Sequence, residues 1–466
     1  MLRTRLAAVF ALALLASPAA AAETKAFVVC TDFMTGSLGV ADLATRAVTP
    51  DAAEIGSDAV ARWYDGLLYV VNRYGGDNIQ VIDPSAGYAT LRQFSVGNGS
   101  NPQDITFVSP TKAYVSRYGS AAIAIVNPAT GGSLGSISLA PFADGDGLPE
   151  MARMVRVGRW LFVACQRLTG YQPTNPSVIA VVDTQADTVF DVDPVTPGIQ
   201  AIPLTFRNPV TTFELDRTRT RLLIGCAGAI GALDGGIEAI DPVALRDLGP
   251  VATEAALGGD VADVAVRDAS HAYVIVSSGS DDVLRSWNPA SGDTIGTLLH
   301  VGGGFSLPDM ELDDRGELYV CWNDLVTPGL LVFDAATDLK VAGPLSTGLP
   351  PVAVTFDHAT DQVLAVSPVA TPAPKVALSA ARPNPASTRV RLALELADGG
   401  DTRVDVWDVA GRRVRTLTAG TLTAGAHALA WDLADEHGTP VRAGVYLIRA
   451  TQRGAALGTA RVVVVR

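Results

Sequence analysis

"LYVVNRYGGDNIQVIDPSAG", Leu68 to Gly87, places two β-forming runs either side of a polar loop and stops at Asp-Pro. Tyr69, Val70 and Val71 are strand formers, Gly75-Gly76-Asp77-Asn78 supplies turn chemistry, and Asp83-Pro84 opens the next turn. The stretch reads as a hairpin. A lone hairpin is marginal in water, so the fold depends on whether the pattern recurs.

It recurs along most of the chain. First strands read "AFVV" at Ala26, "LYVV" at Leu68, "AYVS" at Ala113, "LFVA" at Leu161, "LLIG" at Leu222, "AYVI" at Ala272 and "LYVC" at Leu318. The second strand ends each time on an Asx residue: Asp42, Asp83, Asn127, Asp183, Asp241, Asn288 and Asp334. An Asp or Asn there accepts its own backbone N–H two residues on and opens a tight turn, which explains the restriction. A third, weaker strand follows, then a Gly/Pro-marked corner and a fourth strand. The corners read "GSNPQDITFV", "GLPEMARMV", "RNPVTTFEL" and "SLPDMELDD". Four antiparallel strands per repeat of roughly 40–60 residues fit a β-propeller blade, with the quoted stretch as its second and third strands.

The spelling resembles the YVTN/YncE-like family of seven-bladed propellers, whose repeats carry "YV-N", then "V-VID", then "G-xP". The resemblance covers about Lys25 to Pro368, most closely in the second repeat. The repeat from Trp160 to Thr220 departs from it, lengthened by "LTGYQPTNPS" and by the segment around Pro194 to Pro203. An eighth strand-like run, "QVLAVSP", begins at Gln362. One strand from the C-terminal end of the propeller is expected to close the ring against the N-terminal blade.

After Pro368 the composition changes. Residues 369–376 hold the proline-rich "VATPAPK", a linker, and residues 377–466 alternate polar and apolar positions between closely spaced turns. That suits a small immunoglobulin-like β-sandwich. The segment resembles the FlgD-like immunoglobulin-like domain and the related type IX secretion (Por) C-terminal sorting domain. The residues carrying the resemblance are Asn384-Pro385, "VWDVAGRRVRTL" from Val406, "GAHALAWD" from Gly425, "AGVYLIRA" from Ala443 and the terminal "RVVVVR". Gly411 and Gly425 are expected in turns, Trp431 and Tyr446 in the core. The expected fold class is therefore all-β: a seven-bladed propeller over residues 23–368, then the sandwich.

Residues 1–22 read as a signal peptide: Arg3 and Arg5, the apolar run Leu6 to Ala16, and an Ala-x-Ala site at Ala20-x-Ala22 before Glu23. Export follows, with the cell surface or medium as destination. A net charge of −13 and scarce lysine argue against nucleic acid or an anionic membrane face as partner. No later apolar run is long enough for a transmembrane span.

Chemistry-bearing motifs are few. There is no His-Glu-x-x-His or phosphate-cradling glycine loop, and His271 and His358 read as turn residues. No catalytic residue, cofactor or metal is expected. "ADGDGLPE", with Asp144, Asp146 and Glu150, lacks the spacing of a calcium loop. The candidate binding surface comes from topology, because in an antiparallel meander the end of the second strand and the start of the first lie on one side. Asn72, Arg73, Tyr74, Arg117, Tyr118, Arg167 and Trp322 would then ring one channel mouth together with Asp104, Glu150 and Asp309. Its expected partner is a small ligand, glycan or protein.

Cys30, Cys165, Cys226 and Cys321 lie in equivalent strands of the first, fourth, fifth and seventh repeats. Cys321 sits one residue earlier than Cys30, so it points to the opposite face and the two could meet across the ring's seam as a disulfide. Cys165 and Cys226 point the same way and read as free thiols. The functional expectation is an exported, non-enzymatic binding protein delivered through outer-membrane secretion machinery by its C-terminal domain. The alternatives are a lactonase-like propeller hydrolase or lyase, and a structural surface-layer or adhesion component.

Overall fold

The computed structural model describes residues 23–215, 220–357, 363–364, 376–378, 383–396, 399–409, 411–423, 425–452 and 455–465. The expected leader (1–22), most of the expected linker and His358 lie outside the described residues. The chain divides into two compact units, Met1–Ser367 and Pro368–Arg466.

The first unit is a β-propeller whose described residues form seven sheets in chain order, antiparallel but for one short pairing in the fourth. Blade 2 shows the plan. Its strands Ala59–Tyr64, Leu67–Asn72, Asn78–Asp83 and Ala89–Ser95 hydrogen-bond in that order from the inside outward. The second and third strands are buried along nearly their whole length, the outermost is largely exposed. Both faces of the middle strands are covered by neighbouring blades, which is why "LYVV" and its counterparts are continuous apolar runs. All seven repeated runs occupy the second-strand place of a blade, in Lys25–Thr31, Leu67–Asn72, Lys112–Arg117, Trp160–Cys165, Leu222–Cys226, His271–Ser277 and Glu317–Trp322. The seven Asx residues behave alike. Each accepts the backbone N–H two residues on, at 2.8–3.1 Å.

Pro351–Phe356 closes the ring. It is the innermost strand of blade 1 and pairs antiparallel with Lys25–Thr31, with Ala26 opposite Phe356 and Val28 opposite Val354. Asp357 extends the seam by accepting the N–H groups of Thr24 (2.6 Å) and Lys25 (2.7 Å). One apolar cluster fills each junction between blades. At the seam it unites Val28 and Cys30 with Tyr319, Cys321 and Phe356. Part of the eighth run takes another place: Val363–Leu364 pairs in parallel with Arg156 and Val157 of blade 4. That blade also carries the lengthened loop and an extra pairing through Ile202–Pro203.

The second unit is a sandwich of a three-stranded and a four-stranded sheet. Trp431 and Tyr446 meet edge to face in its core, 5.2 Å between centroids. Each keeps a polar partner: the Trp431 indole donates to the Ala434 carbonyl and the Tyr446 hydroxyl to the Arg442 carbonyl, both at 2.9 Å. Asn384 ties down the last strand, donating to the Arg461 carbonyl and accepting the Val463 N–H. Gly411 serves a turn with φ +76°, whereas Gly425 opens a strand opposite Leu396. Among the described residues, no helix is long and apolar enough to cross a membrane.

Candidate functional site

The strand register brings the residues of the sequence-derived mouth together by backbone. Asn72 lies opposite Ala59, Arg117 opposite Pro102, and the Arg167 N–H donates to the Pro149 carbonyl (3.3 Å). Their side chains mostly hold loops in place. Asn72 is buried, accepting the Gly56 N–H (2.8 Å) and donating to Asn78 (2.9 Å). Arg73 donates to Asp58 of its own blade (2.8 Å) while Tyr74 stands exposed. Arg117 donates to the carbonyls of Ala122 (2.9 Å) and Val96 (3.1 Å), and Arg167 to that of Pro176 (2.9 Å). Trp322 packs against the core between blades 6 and 7. Burial, then the charge of Glu150, pushes the Tyr118 phenol up to about 12. Glu150 is 3 % exposed. Burial pushes it up to about 7 against the opposing hydrogen bond from the Leu168 N–H (3.0 Å).

Asp104 and Asp309 belong to a different set, inside the bore. The innermost strands carry Arg62 in blade 2, Asp104 in blade 3, Arg153 in blade 4, Asp263 in blade 6 and Glu311 in blade 7; Asp309 immediately precedes the blade 7 strand. Glu214 holds the corresponding place in blade 5. The charges of Arg153 and Asp309 act on one another although three blades apart, as groups facing one bore do. Asp309 and Glu311 are half-buried. The lining is electrostatically two-sided: both arginines come from blades 2 and 4, and the carboxyls of Glu214, Asp263, Asp309 and Glu311 from blades 5 to 7.

Burial and proximity tune these groups. Burial opposes the charged form of Arg62, but the charge and hydrogen bond of Asp104 (2.9 Å) outweigh it. Arg153 is brought down to about 10 by burial and then by Arg62; it donates to the Gln103 carbonyl (3.4 Å) and has no carboxylate within ion-pair distance among the described residues. Burial pushes Asp309 up to about 6 against the hydrogen bond from the Val354 N–H (2.8 Å). Burial and then Asp309 push Asp263 well up, and burial and then Glu214 do the same to Glu311. The bore thus offers cations on one flank and, in Asp263, Asp309 and Glu311, carboxyls pushed toward their protonated form on the other.

Sequence reasoning missed Arg62, Arg153, Glu214, Asp263 and Glu311. Their signal was a single charge inside an otherwise apolar run, as in "AVARW", "MARMV" and "VADVA".

Asp144, Asp146 and Glu150 do converge, with carboxylate oxygens within 4.8 Å of one another. Asp144 and Asp146 each accept the N–H two residues on, the ordinary work of Asp-Gly turns. His271 contacts Asp338 of blade 7 (3.0 Å) at the outer side of the sheets. All four cysteines are buried free thiols. Cys30 and Cys321 share the seam cluster, whereas Cys165 and Cys226 belong to different junctions.

The C-terminal unit has a known relative. Residues 384–456 match the FlgD Ig-like domain. No curated protein matches the chain. Among solved structures, the chain is similar to the Dos1 propeller, at 9% identity over 90% of this chain and 94% of that one (TM-score 0.48). It is also similar to a functionally unknown protein from Desulfotomaculum acetoxidans, at 14% identity over 72% of this chain and 99% of that one (TM-score 0.49). A third is Kuenenia stuttgartiensis hydrazine synthase, at 14% identity over 64% and 90% (TM-score 0.45). At these scores none of the three bears on function.

Proposed function

We propose that the chain is an exported, non-enzymatic propeller that binds a small polar ligand bearing a carboxylate, of the uronic-acid or hydroxy-acid class. Its FlgD-like domain, in the role of a type IX sorting domain, hands it to outer-membrane secretion machinery. The observation that carries the binding reading is Arg153: a guanidinium inside the bore, facing carboxyls that burial holds toward the protonated, hydrogen-bonding form. A ligand carboxylate would pair with Arg153 while its hydroxyls meet the opposite flank. Titration calorimetry with galacturonate and with galactose tests this. Binding of the acid alone, lost in Arg153→Gln, is expected. Equal binding of the neutral sugar, or an unaffected variant, overturns it.

Asp309, pushed up to about 6 by burial, and Asp263, which its charge pushes well up after burial, favour a hydrolase or lyase, since carboxyls tuned in this way suit acid–base work. Turnover of a lactone or glycan, abolished by Asp309→Asn, would decide for that reading. Deleting residues 377–466 tests the sorting role. The truncated propeller is expected to accumulate in the periplasm, and unchanged surface delivery would overturn the role.

A further inference from the structure

Glu23 is the first described residue, and it is 7 % exposed at the seam of the ring. Its N–H donates to Oδ2 of Asp314 (3.1 Å), and the Asp314 N–H returns a hydrogen bond to its carboxylate (2.8 Å). Arg315 donates to its carbonyl (2.6 Å). Asp314 lies in the turn between the two inner strands of blade 7, beside Asp313, which is 1 % exposed. One Asp313 oxygen accepts the N–H groups of Arg315 and Glu317; the other, Oδ2, is buried with no partner among the described residues. Asp357 approaches from the closing strand through Thr24 and Lys25. Three carboxyls, those of Glu23, Asp313 and Asp314, thus gather about one guanidinium, that of Arg315. The Lys25 ammonium is engaged by Asp42 at 2.6 Å. Among the described residues Glu23, Asp313 and Asp314 outnumber the cations beside them, and burial followed by repulsion from Asp314, Asp313 and Asp357 pushes Glu23 up to about 7.

We propose that cleavage after Ala22 adds a positive charge here: the α-ammonium it creates on Glu23 pairs with Asp314 and locks the seam between blades 7 and 1. The step is hydrolysis by a leader peptidase. Water breaks the Ala22–Glu23 amide, Ala22 leaves as a carboxylate, and the Glu23 nitrogen takes up protons to become an ammonium beside Asp314. The same backbone position that donates a neutral hydrogen bond in the precursor then carries a full charge toward the cluster. This rests on the export reading, and it makes processing a stabilising event as well as a trimming one.

The test compares the full chain beginning at Glu23, freed from a tag that leaves no residue, with the same chain retaining Ala19–Ala22. At pH 7 the Glu23 form is expected to melt several degrees higher and to lose that advantage in Asp314→Asn, which keeps the hydrogen-bond acceptor but not the charge. A raised ammonium pKa stabilises fully below its unfolded value of about 8 and is lost as pH climbs through the folded value. The advantage should therefore vanish in strong alkali without any substitution, a readout that stands even if the variant misfolds. Equal melting of the two forms, or an advantage that survives Asp314→Asn, overturns the proposal. Terminal peptide mapping separates it from the export reading. An exported protein starting elsewhere than Glu23 overturns the lock, whereas intact precursor retained inside the cell overturns export.

Discussion

Asp104 of blade 3 holds Arg62 of blade 2 at 2.9 Å and at the same time accepts the Met154 backbone N–H of blade 4 at 3.0 Å. One side chain, 1 % exposed, fastens three blades. The device repeats round the bore: Asp263 accepts the Met310 N–H (2.8 Å) and Asp309 the Val354 N–H (2.8 Å), each reaching the next blade. The inner carboxyls therefore have two roles, lining the bore and tying its wall.

Asp104→Ala should cost about 3–5 kcal/mol, because it strands a buried guanidinium and an unpaired amide together. Urea denaturation is the measurement, with Arg62→Met/Asp104→Ala as its complement. Recovery of part of the loss in the double variant is expected, and a single-variant loss under about 1 kcal/mol would contradict the staple.

Glu150, Glu238 and Glu254 are each pushed up to about 7, with burial the leading cause in all three. A carboxyl whose folded pKa is raised stabilises the fold below its unfolded value near 4.5, and that contribution fades as pH rises through 7. The propeller should consequently melt at a higher temperature at pH 5.5 than at pH 8. Calorimetry showing the opposite slope across that window would refute the assignment.

Burial pushes the Cys30 and Cys165 thiols up to about 12, and Cys226 and Cys321 well above the ordinary thiol value. Iodoacetamide at pH 8 should label none of the four in the folded chain and all four after unfolding. If oxidising export yields any linked peptide, it should join Cys30 to Cys321, the pair in one cluster. A Cys165–Cys226 linkage is incompatible with their separate junctions.

Trp431→Leu should lower the transition of the C-terminal unit alone, by about 3 kcal/mol, since it removes the largest side chain of a core that contains no propeller residue. Two resolved calorimetric transitions, with only the smaller one moved, are the expected trace. A shift of both would show the two units melting as one.

The repeat was legible because burial and turn chemistry write directly into residue types. A strand covered on both faces becomes an unbroken apolar run, and a strand that must turn at once ends on Asx, as Asp83 does with the Ser85 N–H. The closing strand left no such trace. "PVAVTF" is an ordinary strand, and its partner Lys25–Thr31 lies at the far end of the propeller sequence. The bore lining went unseen for a related reason. Arg73, Arg117 and Arg167 drew attention as loop charges, yet backbone carbonyls and a local aspartate occupy them. Arg62 and Arg153 are charges flanked by apolar residues in inner strands. Which of two strand faces meets a bore depends on closure, and closure is invisible to local pattern.

Pro351–Phe356 also sets a schedule. Blade 1 is synthesised first but cannot be finished until its inner strand emerges about 320 residues later, so the nascent chain has no completed ring while most of it is being made. If the chain is threaded through a membrane before it folds, as the proposed export requires, such postponed assembly would serve as a built-in delay. The residue that ends the delay, Phe356, lands opposite Ala26, three positions from the terminus that leader removal would create.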